Sequence, residues 1–277
     1  MREESTRSLI LKYAILLVAA FVILFPPYTV FITAFKTKAE FLQSRFALPQ
    51  DWLHLDNFNY IFTRTKLLST ALPNTLYIIV IAVAGNILLG TMTAYALGRF
   101  DFKLRKVILG MYLLASVIPL VTTQVATFSV IKSLHLFNNI HAPILLYLGA
   151  DVVSIIIYLQ FIRSIPYTLD ESAMMEGASL FRIYWNIIFP LLMPATVTVM
   201  ILRIIYIYND FYIPFLYMPK TSLQVISTSI FGFVGPNAAN WNYIAAMIIV
   251  IFIPAIVLFL FLQKFIYAGV THGAVKE

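Results

Sequence analysis

The chain consists of long apolar runs separated by short polar connections, and six of the runs reach the ~20 residues that cross a hydrocarbon core about 30 Å thick. They are Leu9 to Phe35, Asn74 to Leu97, Val107 to Ile131, Ala142 to Phe161, Leu191 to Phe215 and Tyr243 to Phe265. None alternates apolar with polar positions as a barrel strand would, and lipid offers the backbone no outside partner, so each is predicted to be a helix. The pattern predicts an all-α integral membrane protein with six transmembrane helices, residues 1–277 forming one transmembrane domain. The first run follows Arg2, Arg7 and Lys12 as a signal peptide would, but it is too long for one, and Pro26-Pro27 is no small-residue cleavage site. It reads as a retained span.

Composition agrees: 61% of residues are hydrophobic, 11% are charged and mean hydropathy is +0.89. With no cysteine, and with His54, His135, His141 and His272 scattered, neither disulfides nor a metal site is expected. The basic residues set the orientation. Arg2, Arg7 and Lys12, the tight Arg99, Lys103, Arg105, Lys106 cluster, Arg163 and Arg182, and Lys264 and Lys276 all fall on one side of an even number of spans. The positive-inside rule makes that side cytoplasmic, both termini included. Lys36, Lys38, Arg45, Arg64, Lys66, Lys132 and Lys220 lie on the other side, so the Arg99 to Lys106 cluster decides the assignment. The formal charge of +7 then reads as topology and contact with lipid headgroups, not as nucleic-acid binding.

On the outer side, Lys36 to about Thr70 is long enough to cap the bundle, and Pro219 to Trp241, with Gly232, Gly235, Pro236 and Asn237, reads as a turn-rich loop. On the inner side one connection carries a distinct polar pattern, about 163–190. Pro166 stops the fourth run, Thr168 to Glu171 fits a capping box, and a short helix from about Leu169 to Glu176 is predicted to end at Gly177, which tolerates the left-handed conformation. Ser179 can cap a second helix in which Phe181, Tyr184, Trp185 and Ile188 recur at helical spacing before Pro190 and Pro194. By itself this is an amphipathic connector lying at the membrane surface.

The spacing Glu171-Ser172-Ala173-x3-Gly177-x9-Ile187-x-Phe189-Pro190 resembles the loop by which membrane subunits of bacterial ABC importers grip their ATPase. Tyr95-Ala96-Leu97-Gly98-Arg99-Phe100, Tyr208-Asn209-Asp210-Phe211 and the ending Gly269-Val270-Thr271-His272-Gly273-Ala274-Val275-Lys276 resemble the carbohydrate branch, specifically the maltose-permease-like second subunit, over nearly the whole chain. Ser172 stands where alanine is usual, Glu176 where aspartate is frequent, Tyr208 where tryptophan is frequent and Glu277 where glycine is frequent. The resemblance implies a type I ABC importer permease fold in the bacterial cell membrane. It implies that Ser172, Ala173 and Gly177 keep a docking surface small, that Glu171 supplies a cap and a charged contact, and that Glu176, Ile187 and Pro190 complete the coupling loop. Thr271, Gly273 and Lys276 in the tail, about 264–277, would form a second ATPase contact. It further implies a homologous second permease, two copies of a cytoplasmic ATPase that holds ATP and Mg, and an extracytoplasmic sugar-binding protein, with no cofactor on this chain.

Ionisable residues inside spans are costly and face protein or water, which singles out Asp151, Arg203 and Asp210. On an unbroken fifth helix Arg203 and Asp210 would share a face, roughly 10 Å apart along the axis, with Tyr206 between them. Tyr206, Asn209 and Asp210 offer the hydroxyl, amide and carboxylate chemistry of a sugar path, to which Asn86 and Gln124 add amides. A structural ion pair of Arg203 with Asp151 or Asp210 is the competing reading. At Pro119 and Pro254 a static kink is the default. The chain is thus expected to form half of a carbohydrate pathway. Other readings are a permease for another solute such as polyamines or phosphonates, a non-transporting ATPase-coupled sensor, and a membrane-embedded enzyme. The last lacks any H-E-x-x-H, G-x-S-x-G or catalytic aspartate pair, and no G-x-x-x-x-G-K-[ST] loop is present for nucleotide.

Overall fold

The computed structural model describes residues 6–233 and 240–274, which are helical with no strand among them. In chain order the helices are α1 (Thr6–Ala34), α2 (Lys38–Gln43), α3 (Asp56–Arg64), α4 (Leu72–Arg99, led in by a π-turn at Leu67–Ala71), α5 (Arg105–Val117), α6 (Leu120–Ser133), α7 (His141–Leu148) and α8 (Val152–Ser164). There follow α9 (Thr168–Met175), α10 (Leu180–Ile183, continued by a π-turn at Tyr184–Ile188), α11 (Phe189–Leu191), α12 (Met193–Asn209), α13 (Tyr212–Tyr217), α14 (Ile226–Ser229) and α15 (Trp241–Ala274). Leu9–Ala34, Leu67–Arg99 and Trp241–Phe261 are each long and apolar enough to cross a membrane unaided. Counting bent helix pairs as single spans raises the number to six.

The breaks are where the structure departs from the sequence pattern. The third predicted span is split at Ile118-Pro119, with 109° between Arg105–Val117 and Val121–Ser133. Proline has no N–H and drives the residue before it out of the helical region, and Ile118 is accordingly extended. This is far sharper than a kink. The fourth span bends by 42° between His141–Leu148 and Val152–Ser164. The fifth stops at Asn209, because Asp210 is extended and a new short helix begins at Tyr212. Pro254, by contrast, lies inside the continuous α15.

Contacts group the described residues into two compact units, those of Met1–Leu68 with Ser229–Val257 and those of Ser69–Thr228 with Leu258–Glu277. In the first, Asn57 is buried and its amide donates to the Ala34 and Lys36 carbonyls at 2.8 and 2.9 Å, taking up acceptors left over where α1 ends. Asn242 donates to Asn57 Oδ1 at 2.7 Å, and Tyr60 stacks on Tyr243 with ring centroids 4.3 Å apart. The segment between α1 and α4 is therefore tied down by specific contacts. Thr37 and Glu40 cap α2 reciprocally, and buried Lys36 donates to the Ser44 and Arg45 carbonyls at its far end. The second connection carries short helical turns at Thr221–Leu223, Ile226–Ser229 and Ile230–Phe233, whereas Gly235, Pro236 and Asn237 lie outside the described residues.

In the second unit, α4 is the axis of the core. Its residues Ala94, Tyr95 and Leu97 pack with Ile155, Tyr158, Leu159 and Ile162 of α8, and with Ile183, Tyr184, Ile188, Ala195 and Val199 from the following helices. Contact with α8 is closest at Gly98, where a Cβ would sit 2.6 Å from Ile162 Cγ2. That approach delivers Arg99 to the segment after α8.

Two outcomes follow from the first unit. Asn57→Leu removes two carbonyl partners and orphans Asn242, so thermal unfolding in detergent is expected to show a loss on the order of 2–3 kcal/mol. The backbone amides of Thr37 and Gln50, donated to Glu40, hold its carboxyl below the usual carboxylate range. A depressed folded value means that its contribution is complete above the unfolded value and is lost as pH falls through the folded one. Protection of the Thr37 and Gln50 amides against hydrogen exchange should collapse on acidification below the ordinary glutamate range, and Glu40→Gln should remove that pH dependence.

Candidate functional site

Between α8 and α12 the chain leaves the span, forms α9, reverses and returns. The reversal is a Schellman motif: Gly177 N–H donates to Met174 O and Ala178 N–H to Ala173 O, both at 3.0 Å, with Gly177 at φ +78°. The predicted stop at Gly177 is thus observed. So is the Ser179 cap, whose hydroxyl accepts from Arg182 N–H at 3.3 Å. The predicted start is not. Helix α9 already includes Thr168, the expected cap, and has Tyr167 as N-cap with no side-chain cap bond, so Thr168 and Glu171 do not form a capping box. The Asp170 and Glu171 amides turn instead onto Tyr167 O, because a different interaction fixes this end.

That interaction is an ion pair. Arg99 Nη2 lies 3.1 Å from Asp170 Oδ2, with the two side chains 7% and 3% exposed. Among the described residues, Arg99 Nε and Asp170 Oδ2 lack an aligned hydrogen-bond partner, so the contact is chiefly electrostatic. Arg99 also donates to Ile165 O at 3.0 Å and lies over the Tyr167 ring at 5.6 Å, while Tyr95 Oη donates to Asp170 Oδ1 at 3.4 Å. Stripping one partner from a buried pair leaves an uncompensated charge, typically costing about 3–5 kcal/mol. The sequence offers Arg99 as a topology marker and as part of the Tyr95 to Phe100 resemblance, and nothing in it singles out Asp170.

The pair orients α9. Asp170 and Ala173, about one turn apart, face inward, and Ala173 packs into the core that contains Tyr95 and Ile162. Ala173 therefore does not belong to a small outer docking surface, which corrects that expectation. Glu171, Ser172, Glu176 and Gly177 are exposed, as is Met175 at 88%. Met175 was missed, although an exposed flexible thioether suits an adaptable contact. Ile187 is half-buried against the core and Pro190 is exposed at the start of α11, so these two set the return path. In the second helix, Tyr184 and Ile188 are buried, whereas Phe181 and Trp185 are exposed. Thr271 and Gly273 fall within α15, which runs on to Ala274 where a tail was expected, and Lys276 lies outside the described residues.

A second cluster surrounds the breaks between α7 and α8 and after α12. Asp151 caps α8 by accepting from Ser154 N–H at 3.0 Å, and its other oxygen takes the Ser154 hydroxyl at 2.9 Å. Arg203 Nη1 lies 3.0 Å from Asp151 Oδ2, Nη2 donates to Tyr147 O at 2.7 Å, and the guanidinium lies over the Tyr206 ring at 5.2 Å. These residues line a cavity of about 600 Å³ together with Gln124, Thr127, Tyr212 and Tyr217. Asp151, Arg203 and Tyr206 are thus brought together, Arg203 paired with Asp151 as the competing reading has it and all three on one cavity wall. Asn209 and Asp210 are not. Asn209 is exposed and donates to its own helix at Ile205 O, 2.9 Å away. Asp210 accepts from Tyr147 Oη at 2.9 Å and from the Tyr212 and Ile213 amides at 2.7 and 3.3 Å, which spends it on opening α13. The shared helix face predicted for Arg203 and Asp210 fails because α12 ends between them. Asn86, also buried, donates to Gly149 O at 2.7 Å and secures the α7–α8 break. Gln124 instead donates to Tyr217 Oη at 3.2 Å on the cavity wall. Tyr147, Tyr212 and Tyr217 had no sequence signal beyond being aromatic residues with a polar end.

Residues 86–272, which include the α9 reversal and the Arg203 cavity, match the family described as binding-protein-dependent transport system inner membrane component. The chain belongs to this family. It is a non-catalytic, multi-pass transport permease with the all-α type I importer fold. The probable starch degradation products transport system permease protein AmyC of Thermoanaerobacterium thermosulfurigenes is 32% identical over 91% of both chains. The melibiose/raffinose/stachyose import permease protein MelC of Bacillus subtilis is 31% identical over 99% of this permease and 98% of its own length. Among solved structures, a chain of a bacterial ABC transporter involved in the import of the acidic polysaccharide alginate superposes with a TM-score of 0.80 at 23% identity. It covers 95% of this permease and 99% of itself, and the likeness is one of fold.

The reversal itself can be tested. A Cβ at Gly177 would meet nothing within 4 Å, so the cost of Gly177→Ala is that of the left-handed backbone alone, about 1–2 kcal/mol. Hydrogen exchange at the Ala178 amide is expected to speed up by about 5- to 30-fold.

Proposed function

We propose that this permease is one half of the translocation pathway of an ATP-driven importer for a carbohydrate, most simply an oligosaccharide, in the bacterial inner membrane with both termini cytoplasmic. The names of its relatives and the sugar-compatible cavity support the solute class. Its partners in this reading are a homologous second permease, two copies of a cytoplasmic ATPase that binds ATP and Mg, and an extracytoplasmic sugar-binding protein. Residues 1–277 act as one permease domain, with a coupling loop at 163–190 and an ATPase contact near the tail.

The observation that carries the coupling assignment is the two-sided character of α9. Its inner side is bound by Asp170 and Ala173, and its outer side, with Glu171, Ser172, Met175 and Glu176, is bare. A helix held on one side and free on the other can take a push without giving way. Engagement of its outer side by the ATPase would carry nucleotide-driven closure into the spans, with Gly177 forming a tight tip and Ile187 and Pro190 holding the return path. At the cavity, Tyr206 and Tyr212 offer ring faces, and Gln124 and Thr127 offer polar groups, to a passing sugar.

The test is sugar uptake by cells expressing this chain with its partner subunits, comparing wild type with Gly177→Arg at equal membrane abundance over a panel of neutral and acidic oligosaccharides. Uptake of the transported sugar should fall to background in the variant, and the panel identifies that sugar. Unchanged uptake of every transported sugar would overturn the coupling assignment.

A further inference from the structure

Thr91, Tyr95 and Arg99 recur at four-residue spacing on α4, which places them on one face at successive turns. All three are buried or nearly so, and all three bond the segment between α8 and α12. Thr91 Oγ1 and Tyr184 Oη are 2.7 Å apart, Tyr95 Oη reaches Asp170, and Arg99 pairs with Asp170 while donating to Ile165 O and covering Tyr167. Arg99 thereby touches the end of α8, the N-cap of α9 and the first turn of α9 with one planar group. Beyond these polar contacts, α9 adds the buried Ala173 to the apolar core that α4 shares with α8. Such packing is non-directional and allows sliding, whereas a buried charge pair, anchored by the Arg99 Nη2 bond to Ile165 O, fixes where the first turn of α9 sits against α4.

We propose that the Arg99–Asp170 pair is the pin through which movement of α9 is delivered to α4, making Arg99 and Asp170 positioning residues that keep ATP hydrolysis and sugar movement in step. This rests on the coupling reading given above. The stripe Thr91, Tyr95, Arg99 runs from the α9 end of α4 toward Asn86, which secures the break between α7 and α8 beside the Asp151–Arg203 cavity. One rigid helix therefore connects the bare outer side of α9 to the wall of the cavity. With the pin intact, a push on α9 becomes a displacement of α4; with it broken, α9 slips on its apolar bed and hydrolysis continues without transport.

The experiment uses the full complex in proteoliposomes with its ATPase and binding protein, measuring sugar moved and ATP hydrolysed in the same sample. Asp170→Asn, which keeps the shape and removes the charge, is expected to lower sugar moved per ATP by roughly tenfold or more while hydrolysis persists. Arg99→Lys keeps a charge without the fork and should lower the ratio less. The exchanged double variant Arg99→Asp/Asp170→Arg should recover part of the loss, as a pairwise interaction requires. A role confined to stability predicts instead that transport and hydrolysis fall in proportion to the amount of folded complex, and that result overturns the proposal. So does an exchanged variant no better than the single ones. Should Asp170→Asn fail to accumulate, Arg99→Lys decides by the same ratio, a wild-type value counting against the pin. If Gly177→Arg leaves transport intact the coupling reading itself is lost, whereas if it abolishes transport and Asp170→Asn does not change the ratio, only the pin is lost.

Discussion

Backbone groups within a bilayer have no water to turn to, and every interruption of a spanning helix must be made good by another part of the protein. This constraint organises the second unit of the permease. Where α7 stops, its leftover carbonyls are taken by Arg203 at Tyr147 and by Asn86 at Gly149; where α8 starts, Asp151 receives its Ser154 amide. Where α12 stops, Asp210 accepts the amides that open α13, and its own carbonyl takes the Ser227 hydroxyl. Asp151 and Asp210 therefore sit at breaks, and Arg203 reaches one of them from within α12. The polar groups carried by the largely apolar cavity wall are a consequence of repairing the backbone there.

The same economy explains the charge pairing. Arg203 could not remain in a span without a counterion, and Asp151, placed at the break to cap α8, is positioned to supply one at 3.0 Å. Capping and pairing are thus one arrangement serving two needs. At the other end of α4, the Arg99–Asp170 pair solves a different problem. A helix as short as α9 has little stability of its own and holds its shape through what it packs against. Its inner side is committed to α4, and this commitment leaves the outer side free for a partner.

Unusual local geometry falls where two demands meet. Gly98 removes a side chain so that α4 can approach α8 closely, which delivers Arg99 to Ile165 and Asp170. Gly177 supplies the left-handed residue on which α9 turns back. Pro119 breaks the third apolar run outright, since it lacks an N–H and excludes helical geometry at Ile118.

The sequence alone sets the number and place of the apolar runs, the all-helical class and the reversal at Gly177 with its Ser179 cap. These depend on hydropathy and on local backbone preference, which are properties of neighbouring residues. It also carried the family likeness in Glu171 to Pro190, because that motif is contiguous. The packed chain adds that Ala173 faces inward, that Asp210 serves a helix start and not a shared face with Arg203, and that Arg99 is a buried partner as well as a topology marker. The first and last depend on groups distant in sequence, the core around Tyr95 and Asp170 itself, whereas Asp210 takes the neighbouring Tyr212 and Ile213 amides because α12 stops at Asn209. Thr91, Tyr95 and Arg99 share a face of α4, but nothing local names what that face meets. A charge on an otherwise apolar helix announces that a partner exists; the fold chooses which.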